Sequence, residues 1–392
     1  MTENVTLLIS FAIDAELSTY PFMFEKYDVI VIGGGPSGSI AAKTLAAAGA
    51  KVTIVEKDFK RVKPCGGATP STSFREFNLP QEEIVKKIEV ISTIAPSGYR
   101  INTSLNGGYL ALVERGSFDN SLRKQAEAAR ADLMEAEFLR IKEKQKRICI
   151  TVAERGRERD VCSDFLIAAD GVNSRVASAI GLKSLPGVYT IQEEVDMQAA
   201  EDFQGLNVCE FWFGSSHAPN FYSWVFPKKD YIDIGTGHVK GKYLKEFMKN
   251  FKMRRRIHGT GKHRVYRLPL KWRDSLVRGN ILLAGDAAGL VMPLSYEGIY
   301  YAMKSGKMAA EAIINGKPKD YEKHWNKKFL KQFKLMNALK KYFLRNDRTA
   351  EEMVNLHKRK EIQEASLRLW LEKDAGLSKV LSYRDFLRKI FY

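Results

Sequence analysis

Apolar and polar residues change rhythm several times along the chain, and each change marks an element. Residues 27–32 are almost continuously apolar, the signature of a strand buried on both faces. Residues 39–48 are small and helix-compatible, and 51–55 return to a strand pattern, so the chain opens on a βαβ unit. Short apolar runs at 165–168 and 280–284 each lead into a turn with a Gly–Asp or Asp–Gly pair. A helical stretch over 297–315 then stops at Gly316-Lys317-Pro318. Between them, roughly 188–267, helix-length periodicity is lacking at first. Aromatic runs such as Cys209-Glu210-Phe211-Trp212-Phe213 and Tyr231-Ile232-Asp233-Ile234 predict an antiparallel sheet there. Beyond Pro318, Tyr321, Trp325, Phe329, Phe333, Met336 and Phe343 share one face of a helical region whose other face carries lysines.

These elements predict an α/β protein with a Rossmann-like nucleotide-binding domain, an antiparallel β-sheet substrate domain and a C-terminal helical region. The nucleotide-binding domain is discontinuous, over 24–78, 110–184 and 276–318. The sheet domain takes 79–109 and 185–275, and the helical region 319–392. Residues 1–23 read as an extension or a mis-assigned start, since Met23 immediately precedes the first strand. There is no internal repeat and no low-complexity segment.

Composition narrows the picture. With 392 residues, 45% of them hydrophobic, the chain can bury more than one core. Its 63 Lys and Arg against 46 Asp and Glu leave a formal charge of +17, which favours phosphate-bearing ligands, anionic membranes or acidic partners. The four cysteines Cys65, Cys149, Cys162 and Cys209 form no C-x-x-C pair. Neither a disulfide scaffold nor an iron–sulfur cluster is expected, and a cytoplasmic setting fits. The apolar run 5–13 is too short to span a bilayer and follows an acidic start. His258 and His263 have no acid or cysteine cluster beside them, so no metal site is expected. No nucleic-acid-binding module is recognisable.

The chemistry lies in the turns. In Gly33-x-Gly35-x-Ser37-Gly38, the first glycine permits a tight turn, the second lets backbone approach a pyrophosphate, and the third allows close helix–strand packing. Glu56 and Lys57 follow at the end of the second strand, where a carboxylate can bind an adenosine ribose. That much admits either NAD or FAD. The second turn, Gly285-Asp286, favours FAD, because Asp286 at a strand end can hold ribityl hydroxyls and NAD proteins have no need of it. A helix starting near Glu297-Gly298-Ile299 turns its positive end toward the flavin. Asp170-Gly171 closes a third strand with a turn.

Four segments carry a resemblance that covers nearly the whole chain after Met23. They are Lys63-Pro64-Cys65-Gly66-Gly67-Ala68, the turn from Asp170 to Val176, Pro219-x-x-Tyr222-x-Trp224-x-Phe226-Pro227, and Gly285-Asp286 with Glu297-Gly298-Ile299-Tyr300. The chain resembles the geranylgeranyl reductase family, especially its chlorophyll-synthesis branch and its archaeal lipid reductases, within the p-hydroxybenzoate-hydroxylase-like flavoprotein fold. The resemblance implies that Pro219, Tyr222, Trp224, Phe226 and Pro227 line an apolar tunnel for an isoprenoid. It also implies that Arg115 contacts FAD and that Cys65 and Gly66 lie near flavin and substrate. The chain departs at Tyr296, where the family has glycine, which places a phenol beside the flavin edge and the substrate.

The expected activity is saturation of polyprenyl C=C bonds: hydride from reduced FAD, and a proton from Cys65 or Tyr222. NADPH or an acidic carrier such as reduced ferredoxin is the expected electron donor. Basic runs at Arg254-Arg255-Arg256, Lys327-Lys328 and Lys340-Lys341, with Phe386, Leu387, Ile390 and Phe391, predict a peripheral contact with anionic membrane. The rivals are a flavin monooxygenase or halogenase of the same fold, and an electron-transfer flavoprotein passing electrons to quinone.

Overall fold

The computed structural model of the protein describes residues 25–144, 147–201 and 207–373. The expected extension over 1–23 and the apolar end at Phe386, Leu387, Ile390 and Phe391 lie outside the described residues.

Strand Glu25–Ile32 is the centre of the first sheet, paired in parallel with Val52–Glu56 on one side and Arg157–Ala168 on the other. Asp132–Glu135 and Ile281–Leu283 extend the parallel order outward. Val29, Ile30, Val31 and Ile32 are all buried, which explains the unbroken apolar run. Helix Pro36–Ala47 follows the first strand directly and packs on helix Ile299–Ile314.

The second sheet runs, in order, His263–Pro269, Gly187–Asp196, Tyr231–His238, Ser223–Pro227, Val208–Trp212, Val90–Ile94 and Arg100–Ser104. All its pairings are antiparallel except that of Val208–Trp212 with Val90–Ile94. Because side chains alternate along a strand, its two faces differ. Ile191, Val225, Ile232 and Ile234 form a separate core on one face. Trp224 and Phe226 join the main core on the other, toward the nucleotide-binding sheet. A third, small sheet pairs Leu110–Val113 with Ala68–Pro70 and Ile84–Ile88.

Three expectations need correction. The stretch predicted as sheet contains a helix, Leu244–Arg255, whose buried Leu244, Met248 and Phe251 recur at i, i+4 and i+7 and close the separate core. The segment Pro219 to Pro227, implied as a continuous tunnel lining, becomes strand only at Ser223, since Pro219 to Tyr222 form a turn with Asn220 at a positive φ of 60°. All five residues of Ser223–Pro227 are buried. Finally, Arg255 does not join an exposed basic run. Its guanidinium is buried against Glu210, donating from Nε at 2.7 Å.

The cysteine expectation is also overturned. Strands Arg147–Glu154 and Arg157–Ala168 form a hairpin about Arg155 and Gly156, which sets Cys149 opposite Cys162 with Cα atoms 4.1 Å apart, and the two are disulfide-bonded. Spacing along the chain concealed a pair that strand register creates. Thiol titration of unfolded, unreduced protein is expected to count two thiols, Cys65 and Cys209, and four after reduction. Four before reduction would show the pair to be open.

The C-terminal helices are Asp320–Trp325, Lys331–Phe343, Asp347–Leu356 and Lys360–Leu367. Tyr321, Trp325, Phe329, Phe333, Met336 and Phe343, the predicted apolar face, are all buried. Phe333 meets Tyr301 and Trp272 edge-on, at 5.2 and 5.7 Å between ring centroids, which ties this region to helix Ile299–Ile314.

Candidate functional site

Three cavities lie in series where the layers meet. The first, about 350 Å³, is a groove over the carboxyl ends of the parallel strands. Gly33, with φ +106°, turns the chain there, and Pro36 starts the helix at a position where its missing N–H costs nothing. Glu56 accepts from the Gly34 N–H at 2.9 Å, and Arg123 donates to the Gly34 carbonyl at 3.1 Å, so the turn is held from both sides. Ser37 Oγ and Asp170 Oδ1, both on the groove wall, are buried with no hydrogen-bond partner among the described residues. The Ser37 hydroxyl, a donor beside a helix N-terminus with Lys57, Arg61, Lys63 and Arg115 around it, fits a dinucleotide pyrophosphate, while the Asp170 oxygen is an acceptor open to a donor group of the same ligand. Burial raises the Asp170 carboxyl above its ordinary range.

Arg115 begins helix Arg115–Ala128 and is buried, bidentate to Asp119 at 2.9 and 2.6 Å. Against the cost of burial, Asp119 and the Cys65 thiol raise the guanidinium's pKa. Lys63 reaches across to Asp286 at 2.6 Å and stands 4.3 Å from the centroid of the Tyr266 ring. Burial opposes the Lys63 charge, but Asp286 more than restores it. Asp286 therefore has a cation beside it at the junction of groove and second cavity. Lys63 belongs to the Lys63–Ala68 motif, but its role depends on a residue that no local pattern joins to it. Its partner is 223 positions away.

The second cavity, a chamber of about 130 Å³, adjoins the groove at Pro36, Lys63, Arg115 and Asp286. Cys65 and Gly66 form one wall, Trp224 and Phe226 another, and Tyr296, Glu297, Gly298 and Ile299 a third. Gly298 caps the N-terminus of the sixteen-residue helix Ile299–Ile314, so its amide end faces the chamber. Cys65 is half-buried, and its Sγ accepts from the Gly67 N–H at 3.4 Å. Tyr222 donates to the Ser295 carbonyl at 2.7 Å, and burial pushes its phenol pKa well up. Tyr296 sits at φ 52°, the left-handed region that suits glycine, with its ring 4.1 Å from Phe221. The departure from the resembling family thus falls where a side chain is strained, at a cost of about 1–2 kcal/mol.

Glu297 makes a buried ion pair with Lys373, whose side chain is 2% exposed and lies over the rings of Tyr300 and Tyr301. Burial raises the Glu297 carboxyl and lowers the Lys373 ammonium, each partly offset by the other. Glu297 lines the chamber, while Lys373 lines the third cavity.

That third cavity, about 220 Å³, is overwhelmingly apolar and runs under the C-terminal helices. Phe213, Met292, Met336, Leu339, Phe343 and Leu367 are among its walls. Phe211, Tyr222, Ser295 and Trp370 border both it and the chamber. Of the predicted tunnel residues, Tyr222, Trp224, Phe226 and Tyr296 meet at the chamber. Pro219 instead borders a pocket of about 30 Å³, and Pro227, although buried, borders none of these spaces. Nothing in the chain's local pattern had marked the apolar cavity, since four stretches far apart in sequence, 91–103, 211–222, 292–301 and 332–373, build it.

Comparison with known proteins agrees with this geometry. Residues 26–314 match the FAD binding domain family. The chain is 31% identical over 374 residues to the chloroplastic geranylgeranyl diphosphate reductase of Nicotiana tabacum, covering 88% of this chain and 81% of that one. It is 31% identical over 339 residues to the digeranylgeranylglycerophospholipid reductase of Methanocaldococcus jannaschii, covering 81% and 86%. Its fold matches the crystal structure of a geranylgeranyl bacteriochlorophyll reductase-like protein from Thermoplasma acidophilum, with a TM-score of 0.78 and 24% identity, over 94% of this chain and 99% of the other.

Proposed function

Because the chain belongs to the geranylgeranyl reductase family of FAD-binding proteins, we propose that it saturates carbon–carbon double bonds of a polyprenyl chain lying in the apolar cavity. The observation that carries this reading is the junction: the groove over the glycine turn shares walls with the chamber, which in turn shares walls with an apolar space lined by the C-terminal helices.

Reduced FAD supplies the hydride. Ser37, Glu56, Asp170 and Arg115 bind and orient the cofactor's adenine dinucleotide portion, with Lys57 at the groove rim. Lys63 and Asp286 hold its middle, and the amide end beyond Gly298 favours negative charge at the ring edge. Trp224, Phe226 and Tyr222 exclude water from the reacting carbons.

An isolated alkene accepts hydride poorly, so proton delivery at the second carbon matters as much. Cys65 is the first candidate, standing in the chamber wall with the Arg115 guanidinium beside it. Tyr222 is the second. Its phenol is the weaker acid and already donates to Ser295, which suits placement of the chain better.

Electrons reach the flavin from NADPH or from an acidic carrier such as reduced ferredoxin, and the charge of +17 supports the carrier. The same charge supports peripheral contact with anionic membrane for collecting lipid. No helix among the described residues is long and apolar enough to cross a bilayer.

The test is anaerobic incubation of dithionite-reduced protein with digeranylgeranylglycerol lipid, geranylgeranyl diphosphate, a menaquinone and a geranylgeranylated chlorophyll precursor. A gain of two hydrogens per reduced bond in product mass is expected with at least one. No gain with any leaves electron transfer to quinone as the function. Cys65→Ala is expected to slow turnover about a hundredfold. Full turnover in both Cys65→Ala and Tyr222→Phe would remove these residues as proton donors.

A further inference from the structure

Behind the flavin chamber lies a carboxylate for which the reaction described above has no use. Asp233 stands in the middle of strand Tyr231–His238 and is completely buried. Its neighbours Ile232 and Ile234 point into the separate core, so Asp233 points the other way, toward the chamber wall. There Trp224 Nε1 donates to Asp233 Oδ1 at 2.6 Å, and Gln192 Nε2 donates to Oδ2. Both donors line the chamber. Gly235, two positions on, lies flat beneath the indole, where a Cβ would come within 2.0 Å of Trp224 Cζ2. Strand and carboxylate together leave the ring one place to sit.

Gln192 supplies the second observation. Its carboxamide nitrogen is committed to Asp233, while its Oε1 is buried without a hydrogen-bond partner among the described residues. Gln192 is 6% exposed and borders the chamber. A buried, unpaired carbonyl oxygen at the edge of a binding cavity is costly unless a ligand satisfies it. An ionised carboxylate only accepts, so as long as Asp233 carries its charge the amide must present nitrogen to it and oxygen elsewhere.

We propose that Asp233 is a positioning residue that fixes Trp224 and the Gln192 carboxamide, so that Gln192 offers a hydrogen-bond acceptor to a donor group bound in the flavin chamber. The donor is an N–H of the flavin ring or a water held beside the substrate. The inference rests on the chamber's holding the flavin, as proposed above.

Protonation would reverse the arrangement. A protonated Asp233 can donate to the amide oxygen, and the carboxamide then turns its N–H₂ toward the chamber. Burial pushes the Asp233 carboxyl up to about 7, so the change falls within the working range. The titratable groups facing Asp233 are Lys228, Glu194, Tyr231 and Cys209. Lys228 favours the charged carboxylate, whereas Glu194 opposes it.

The experiment measures FAD affinity of the apoprotein by flavin fluorescence, and separately KM and kcat of the holoenzyme for geranylgeranyl diphosphate, between pH 5.5 and pH 8.5, a span chosen to bracket about 7. In the wild type, affinity is expected to weaken as pH falls through about 7. Asp233→Asn and Gln192→Leu are each expected to weaken binding about tenfold at pH 8 and to flatten the pH profile. The double variant should be no worse than Gln192→Leu alone, because both remove one acceptor.

A change confined to FAD affinity assigns the donor to the flavin, and a change confined to KM assigns it to the substrate side. If Gln192→Leu, which needs no charged partner to fold, matches the wild type in FAD affinity, KM and pH profile, the proposal is overturned. A wild-type apoprotein that binds no FAD would instead remove the chamber assignment itself.

Discussion

Replacing Lys373 with methionine is expected to cost the folded protein about 3–5 kcal/mol, because it leaves the Glu297 carboxylate buried without its cation. The two side chains are 2% and 4% exposed, so water cannot take the ammonium's place. The loss should depend on pH in a definite direction. Without Lys373, burial keeps the Glu297 carboxyl above its unfolded value, so its neutral form is the one the fold tolerates. Stability is then fully present below the unfolded pKa of about 4.3 and drains away as pH rises through the folded one.

Lys373→Met should therefore lie closest to wild type in acid and furthest from it at pH 8, by denaturant unfolding. The double variant Lys373→Met with Glu297→Gln should recover most of the loss, since neither charge remains. A single variant as stable as the wild type at pH 8 would mean that the pair carries no weight. The consequence reaches function because Lys373 closes one end of the apolar cavity near Trp370 and Leu369. Freeing it should raise KM for the prenyl substrate more than it lowers kcat.

The second large effect separates two glycines three residues apart in the nucleotide turn. A Cβ on Gly38 would lie 1.9 Å from the Gly33 carbonyl oxygen, a backbone atom that cannot move aside without breaking the turn. Gly38→Ala should therefore destabilise the domain and abolish FAD retention together. At Gly35 a Cβ meets nothing within 4 Å, and the φ of −79° suits any residue. Gly35→Ala should fold as well as the wild type and unfold at the same denaturant concentration. Its Cβ instead enters the space reserved for the pyrophosphate, and FAD affinity should fall about a hundredfold, equivalent to about 3 kcal/mol. Unchanged FAD affinity in Gly35→Ala would show that the groove does not bring the phosphates to this turn.

How much of this was legible in the chain follows from the range of each interaction. The nucleotide turn and its helix were readable because their constraints act over six residues, through backbone sterics that only glycine satisfies at Gly33 and Gly38. The parallel strand Glu25–Ile32 was readable because burial on both faces leaves an unbroken apolar run. Helix Leu244–Arg255 was readable in principle at Leu244, Met248 and Phe251, but the aromatic strands around it dominated the pattern. The pairing of Cys149 with Cys162 needed a strand register, and Gly156 was the only local sign of where the hairpin turns.

Sequence alone thus determined that a dinucleotide is held, that a second glycine–aspartate turn ends a strand of the same sheet, and that an apolar helical face is buried in the C-terminal region. Each of these is a local pattern in which steric or hydrophobic demands recur at a fixed spacing. Tertiary structure decided the rest: Lys63 beside Asp286, Glu297 buried against Lys373, Gln192 turned by Asp233, and the apolar cavity under the C-terminal helices. Those contacts join residues from 41 to 223 positions apart. Their energies come from burial and charge pairing, which depend on what folds alongside a residue and leave no mark on its neighbours in the chain.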